Sequence, residues 1–186
     1  MEKQYCYKYP RPALTTDCVV FGFDGADLSV LLIRRANEPF QYAWAFPGGF
    51  LEMNETVEEG VLRELREETG IIPAFTEQVK VFSAVDRDPR GRIITVAFYT
   101  LVKMQDYVPE AGDDASRCKW CRVDELPPLA FDHEEILQAA LVKLQERLHL
   151  TADDRGAVET SFSAPVLQRL YLSLIHISEP TRLLSI

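Results

Sequence analysis

Apolar and polar positions along this chain sort into two spacings. Residues 14–23 (LTTDCVVFGF) and 28–34 (LSVLLIR) are runs rich in β-branched and aromatic side chains, with Asp24-Gly25 between them. Such runs around a Gly-containing turn signal predict a β-hairpin. Residues 43–46 read as a short strand that Pro47-Gly48-Gly49 breaks. Two further strands, 78–85 and 92–103, flank the turn Asp86-Arg87-Asp88-Pro89-Arg90-Gly91, and a strand at 117–123 ends at Pro127-Pro128.

Helical spacing interrupts the strands twice. Thr56 and Glu59 stand in the T-x-x-E relation of a capping box, and Gly70 sits where a glycine cap ends a helix. Within 132–148, Ile136, Ala139, Ala140, Val142 and Leu144 recur at near-helical spacing. Strands mixed with helices predict an α/β fold built as a layered sandwich. Residues 1–13 read as an irregular arm, 151–160 as a polar, acidic linker, and 165–171 (PVLQRLY) as the start of another amphipathic helix. Residues 172–182 (LSLIHISEPTR) read like the frame translation of a transposon-end sequencing adapter. The expected organisation is therefore one domain over 1–150, a linker and helical fragment over 151–171, and a non-native tail over 172–186.

Composition narrows the function classes. The 186 residues, 47% apolar and 26% charged, suffice for one domain with a real core. Acidic residues outnumber basic ones 29 to 20, for a formal net charge of -9. That surface gives no bulk attraction to DNA or anionic lipid, and it suits a protein that holds cations. No apolar run reaches the roughly 18 residues a membrane span needs. The first residues carry no apolar signal region. Cys6, Cys18, Cys118 and Cys121 are expected as reduced thiols in the cytoplasm. Cys118 and Cys121 match C-x-x-C, but positions i and i+3 of a strand face opposite sides, so the pair is expected to be structural.

One stretch carries the chemistry. From Gly49 the chain runs GFLEMNETVEEGVLRELREETGI, with Gly49, Glu55, Arg63, Glu64, Glu67, Glu68 and Gly70 at fixed spacings and aliphatic residues at Leu65 and Ile71. Seven fixed types at roughly 6–7% each put a chance match below about one in a million. On a helical wheel with Val61 at zero, Val57 and Leu65 fall at about 320° and 40°. Glu64, Glu67 and Glu68 fall at about 300°, 240° and 340°, on one flank, with Glu68 inside the edge of the apolar stripe. Two carboxylates about 5 Å apart repel by roughly 3 kcal/mol at an effective dielectric near 20, more when partly buried. A hard divalent cation removes that penalty. Glu58 and Glu59 suit a solvated face instead.

This stretch resembles the signature box of the Nudix hydrolases, complete, and the resemblance spans roughly 14–148. It implies an α/β/α sandwich with a mixed sheet and hydrolysis of a nucleoside diphosphate linked to another moiety. Mg²⁺ or Mn²⁺ would be held by Glu64, Glu67, Glu68 and the Gly49 backbone, with the three glutamates as the catalytic set. Gly48 and Gly49 would let backbone approach the ligand, and Glu55 and Arg63 would form a structural ion pair. The general base stays open among Asp113, Asp114 and a box glutamate; the two aspartates also fit a solvated loop.

Flanking segments RPALTTDCVVFGF, WAFPGGF, FSAVDRDPRGRIITVAFYTLV and PPLAFDHEEIL resemble the ADP-ribose pyrophosphatase-like branch. Arg87, Arg90 and Arg92 are candidate pyrophosphate contacts, since guanidinium forks suit phosphate oxygens, or else the charges of a hairpin turn. Trp44 either faces a base or packs in the core, and His133 is expected to cap its helix or face solvent. The same branch includes regulators whose Nudix domain senses ADP-ribose or a sugar derivative ahead of a DNA-binding winged helix. SFSAPVLQRLY resembles the opening of that winged helix. The resemblance thus implies hydrolysis of ADP-ribose or a related nucleoside diphosphate sugar, or alternatively ligand sensing in a regulator of NAD or sugar metabolism. DNA is a partner only if the parent protein carries the winged helix. It also implies a homodimer. A sanitiser of oxidised nucleoside triphosphates is a third reading, disfavoured by the flanks.

Overall fold

The structure is a computed structural model that describes residues 7–107, 118–149 and 162–178, with side chains described through residue 174. The expected linker at 151–160, Cys6, Asp113 and Asp114 lie outside the described residues. In chain order the elements are β1 (Ala13–Phe23), β2 (Leu28–Arg34), β3 (Trp44–Ala45), β4 (Gly48–Phe50), α1 (Val57–Thr69), β5 (Glu77–Phe82) and β6 (Ile93–Lys103). A 3₁₀ turn at Met104–Asp106 follows, then β7 (Cys118–Arg122), α2 (His133–His149) and α3 (Ala164–Ser178). No helix among the described residues is long and apolar enough to cross a membrane.

The strands form one mixed sheet in the order β3-β2-β1-β6-β5. β1 lies parallel to β6 along its whole length, from Ala13 opposite Ile93 to Phe23 opposite Lys103. Its other edge is divided. Phe21–Phe23 pairs antiparallel with β2 in the expected hairpin, while Thr15–Asp17 pairs antiparallel with β4. The Pro47-Gly48-Gly49 break of the sequence reading is thus partly strand. The cause is close approach: a Cβ on Gly48 would stand 2.2 Å from the Thr16 carbonyl oxygen, so only glycine lets the two backbones pair here.

Both faces of the sheet are covered. Val19, Phe21, Val30, Leu32 and Tyr99 pack with Ile136, Ala140 and Leu144 of α2. Cys18, Val20, Leu31, Val96 and Phe98 pack with Val61 and Leu65 of α1. β1 and β6 are therefore buried on both sides, which explains their nearly unbroken apolar runs. Cys121 joins the first cluster and Cys118 packs against the second, on opposite faces as their spacing requires. α3 adds Leu167, Leu170 and Leu174 to the first cluster, and the Tyr171 hydroxyl lies 2.8 Å from His149 Nε2 of α2. The helix does not stop at Tyr171 but runs on to Ser178, because leucines at i, i+3 and i+7 keep one apolar face in register.

α1 begins and ends as its sequence dictates. The Thr56 hydroxyl accepts from the Glu59 N–H (3.2 Å), the Glu59 carboxylate accepts from the Thr56 N–H (2.8 Å), and Gly70 takes the left-handed conformation at φ 71°. Thr56→Ala removes half of the capping box. It should cost about 1 kcal/mol and lower the melting temperature by roughly 2–4 °C for a chain of this size. Thermal melts of the two proteins check this; equal midpoints would show that the cap carries no stability.

Candidate active site

A cavity of about 930 Å³ opens where β1, β4 and the C-terminal half of α1 meet the loops after β2, after β5 and before α2. Its size fits a drug-sized or nucleotide-sized ligand.

α1 supplies an acidic wall. Glu64, Glu67 and Glu68 lie one helical turn apart on the flank the wheel assigned them, and Arg63 organises two of them. Its Nη1 donates to Glu64 (2.8 Å) and Glu67 (3.2 Å), its Nη2 and Nε donate to Glu55 (2.7 and 3.0 Å), and its Nη2 also donates to the Phe50 carbonyl (3.1 Å). The expected Glu55–Arg63 pair is thus present and wider than expected, joining β4, the following loop and α1. Arg63 hydrogen bonds hold the Glu55 carboxyl down at about 2. Glu68 is treated differently. Its Oε2 accepts from the Gly48 N–H (2.9 Å), and no cation lies within ion-pair reach among the described residues. Burial above all, with Glu64 and Asp17 nearby, pushes its carboxyl up to about 7 against the pull of that N–H. Burial raises Glu64 as well.

Gly49 lies flat against this wall. A Cβ there would stand 2.3 Å from Glu64 Oε1, so a side chain at this position would displace the Glu64 carboxylate. Among the described residues no three carboxylate, imidazole or thiol groups are gathered into a finished metal cage; Arg63 and the Gly48 N–H engage the same oxygens instead. The donor set nevertheless fits a hard divalent cation. It is all oxygen, it faces backbone, and it includes a carboxylate, Glu68, that has no ion-pair partner among the described residues and whose pKa is raised.

The three candidate arginines diverge. Arg87 is buried, with Nη2 and Nε donating to Asp132 (2.6 and 2.8 Å) and Nη2 lying 3.9 Å from Asp17. Arg90 lies at the rim, paired with Asp88 (2.6 Å), its guanidinium 4.9 and 5.4 Å from the rings of Phe50 and Phe131. Arg92 donates to the Ser83 and Ala84 carbonyls (3.0 and 3.1 Å) and does not line the cavity. Trp44 packs against the core under Lys119, also away from the cavity lining.

His133 corrects the sequence reading. It neither caps α2 nor faces solvent: it is 3% exposed, stacks on Phe46 at 5.4 Å, and its Nδ1 accepts from the Phe46 N–H (3.0 Å). The segment before α2 hydrogen-bonds to β3 through Ala130 N–H and Trp44 O, which turns the first residue of the helix inward. Burial holds the imidazole below its usual range, against the opposing charges of Asp17 and Asp132. Asp17 was also missed. It sits in β1, and its Oδ2 accepts from the Thr95 hydroxyl (2.6 Å). The available signal was an acid inside an apolar strand at a position destined for burial. Arg35 and Phe131 complete the unforeseen lining, with the Arg35 guanidinium 4.7 Å from the Phe131 ring centre.

Comparison with known proteins agrees with this geometry. Residues 11–140 match the family model of the NUDIX domain. An ADP-ribose pyrophosphatase of Methanocaldococcus jannaschii is 44% identical over 130 residues, covering 70% of this chain and 73% of that protein. The ADPR responsive transcriptional repressor NtrR of Acinetobacter baylyi is 34% identical over 167 residues, covering 88% of this chain; the chain spans 66% of that repressor's length. The NUDIX domain of Shewanella oneidensis NrtR, solved in complex with ADP ribose, superposes with a TM-score of 0.64 at 34% identity, covering 73% of this chain and 90% of that one. The complete box on α1, the glycine backbone laid against it and the mixed sheet between helical layers thus come from shared descent: the chain belongs to the Nudix family and is a Nudix hydrolase.

Proposed function

We propose that this chain hydrolyses the pyrophosphate bond of ADP-ribose or a related nucleoside diphosphate sugar. The observation that carries the reading is the opposition of two walls across one cavity: the Glu67 and Glu68 carboxylates on α1 and the Arg35 and Arg90 guanidinium groups at the rim. The ADP-ribose pyrophosphatase relative supports the substrate class. Glu64, Glu67, Glu68 and the Gly49 backbone would hold Mg²⁺ or Mn²⁺, which when bound neutralises phosphate charge and acidifies water. Arg90 gives its Nε and Nη2 edge to Asp88, so its charge and its remaining Nη1 are what it offers the phosphates. Arg63 holds Glu64, which lies against Gly49 and does not itself line the cavity, and Glu67, which does; the Gly48 and Gly49 backbone lines the cavity beside them. The second reading is a ligand-sensing domain of a transcription regulator. It is favoured by the repressor relative, whose match extends over 88% of the chain rather than the catalytic domain alone.

Turnover separates the two. Incubation with ADP-ribose and Mg²⁺ should yield AMP and ribose 5-phosphate, and Glu68→Gln should lower the rate by about 100-fold or more, as loss of several kcal/mol of charge stabilisation implies. Binding of ADP-ribose without product would favour the sensor and end the enzymatic reading.

Cation binding should follow the protonation of Glu68. Its carboxyl is raised in the folded state, so it carries a proton below about pH 7, and a cation must displace that proton. Without cation, ionising this carboxyl removes stability as pH rises from the ordinary carboxylate range through about 7. Mg²⁺ should therefore raise the melting temperature clearly at pH 8 and little at pH 6, and Glu68→Gln should flatten that difference. Equal shifts at both pH values would refute the assignment.

A further inference from the structure

The cavity floor holds one hydrogen-bond donor and one acceptor that no protein group among the described residues satisfies. The Phe46 N–H donates to His133 Nδ1, so Nδ1 bears no proton and the neutral ring carries its hydrogen on Nε2. Nε2 lies 3.7 Å from Asp17 Oδ1, too far for a direct hydrogen bond. Asp17 Oδ2 is already engaged by the Thr95 hydroxyl and lies 3.9 Å from Arg87, which leaves Oδ1 unspent. Both residues line the cavity, and both are more than nine-tenths buried.

A group placed here must accept from Nε2–H and donate to a carboxylate oxygen. A hydroxyl does both; a phosphate oxygen would face the carboxylate, and an ammonium would face the N–H. We propose that Asp17 Oδ1 and His133 Nε2 together bind a sugar hydroxyl of the ligand, and so select hydroxylated over deoxygenated sugars. The inference rests on the reading of this cavity as a nucleoside diphosphate sugar site. It adds to that reading the two residues that inspect the sugar. In the unliganded protein a water would take the hydroxyl's place, as it does across polar gaps of this length. Leaving two buried polar groups unmatched is what makes such a pair selective.

The test compares ADP-ribose with analogues that each lack one of its sugar hydroxyls, in the presence of Mg²⁺, as Kd or, if turned over, as kcat/KM. On the wild-type protein one analogue should be weaker by about 10- to 100-fold. His133→Asn keeps an acceptor for the Phe46 N–H and deletes the Nε2 donor; Asp17→Asn keeps the shape and deletes the charge. In either variant ADP-ribose should fall toward the weak analogue, so that their ratio approaches one. A purely structural role for these residues would weaken both ligands and leave the ratio unchanged. Two results overturn the proposal while leaving the substrate reading intact: all analogues within about twofold of ADP-ribose, near ordinary additivity error, or an unchanged ratio in a folded variant. Should neither variant fold, the wild-type series alone decides. If the wild-type protein takes neither ADP-ribose nor any analogue, the substrate reading and this inference fall together.

Discussion

Arg63 fixes the relation on which the rest of this molecule depends. One guanidinium bonds to the loop at Glu55, to the strand at the Phe50 carbonyl and to the helix at Glu64 and Glu67. A planar fork with five donors can do this; an ammonium on a flexible stem cannot hold the same three elements in one plane. The helix is thereby set against β4 with the Glu64 carboxylate lying on the bare Gly49 backbone. That puts β4 backbone and the Glu67 and Glu68 carboxylates on one wall of the cavity.

The second constraint is electrostatic. Arg63 hydrogen-bonds to Glu55, Glu64 and Glu67, one positive charge among three carboxylates, but does not reach Glu68, which rests on a single N–H. The floor is managed separately: Asp17 and Asp132 share Arg87, and His133 stays neutral between them. At the rim, Arg35 and Arg90 both lie over Phe131 and raise the local positive charge, with Asp88 compensating only Arg90 closely. Positive rim and negative wall face each other across space that the protein does not fill. A ligand carrying phosphates together with a cation matches that division; a purely apolar one does not.

How much of this could be read from residues alone depended on how local the cause was. α1 was legible to its caps, because the T-x-x-E box, the C-terminal glycine and the periodic glutamates act within a few residues of one another. The hairpin of β1 and β2 was legible for the same reason. β4 was not, since Gly48–Phe50 becomes a strand only through β1, more than thirty residues earlier. The arginines of the β5–β6 turn carried one identical local signal, yet Arg87 went to the floor, Arg90 to the rim and Arg92 to loop carbonyls. Partners distant in sequence, Asp132 for Arg87 above all, made that choice. Asp17 carried no legible signal of its role, and His133 read as a helix cap or surface residue, because burial belongs to the assembled fold and neither residue belongs to a short motif with its own spacing.

The long parallel pairing of β1 with β6 has a consequence for how the molecule comes into being. Thr15 and Thr95, joined through a hydroxyl-to-carbonyl bond, stand 80 residues apart in the chain. Contacts of that span close a large loop before they return any energy, and parallel strands form slowly for this reason. During synthesis the first strand therefore emerges with its main partner still unmade. Until Ile93 is reached, the elements already made are β2 to β5 and α1, of which β2 and β4 pair with β1 and α1 packs on it. The local strength of that helix and turn thus guards a nascent chain as well as shaping a finished site.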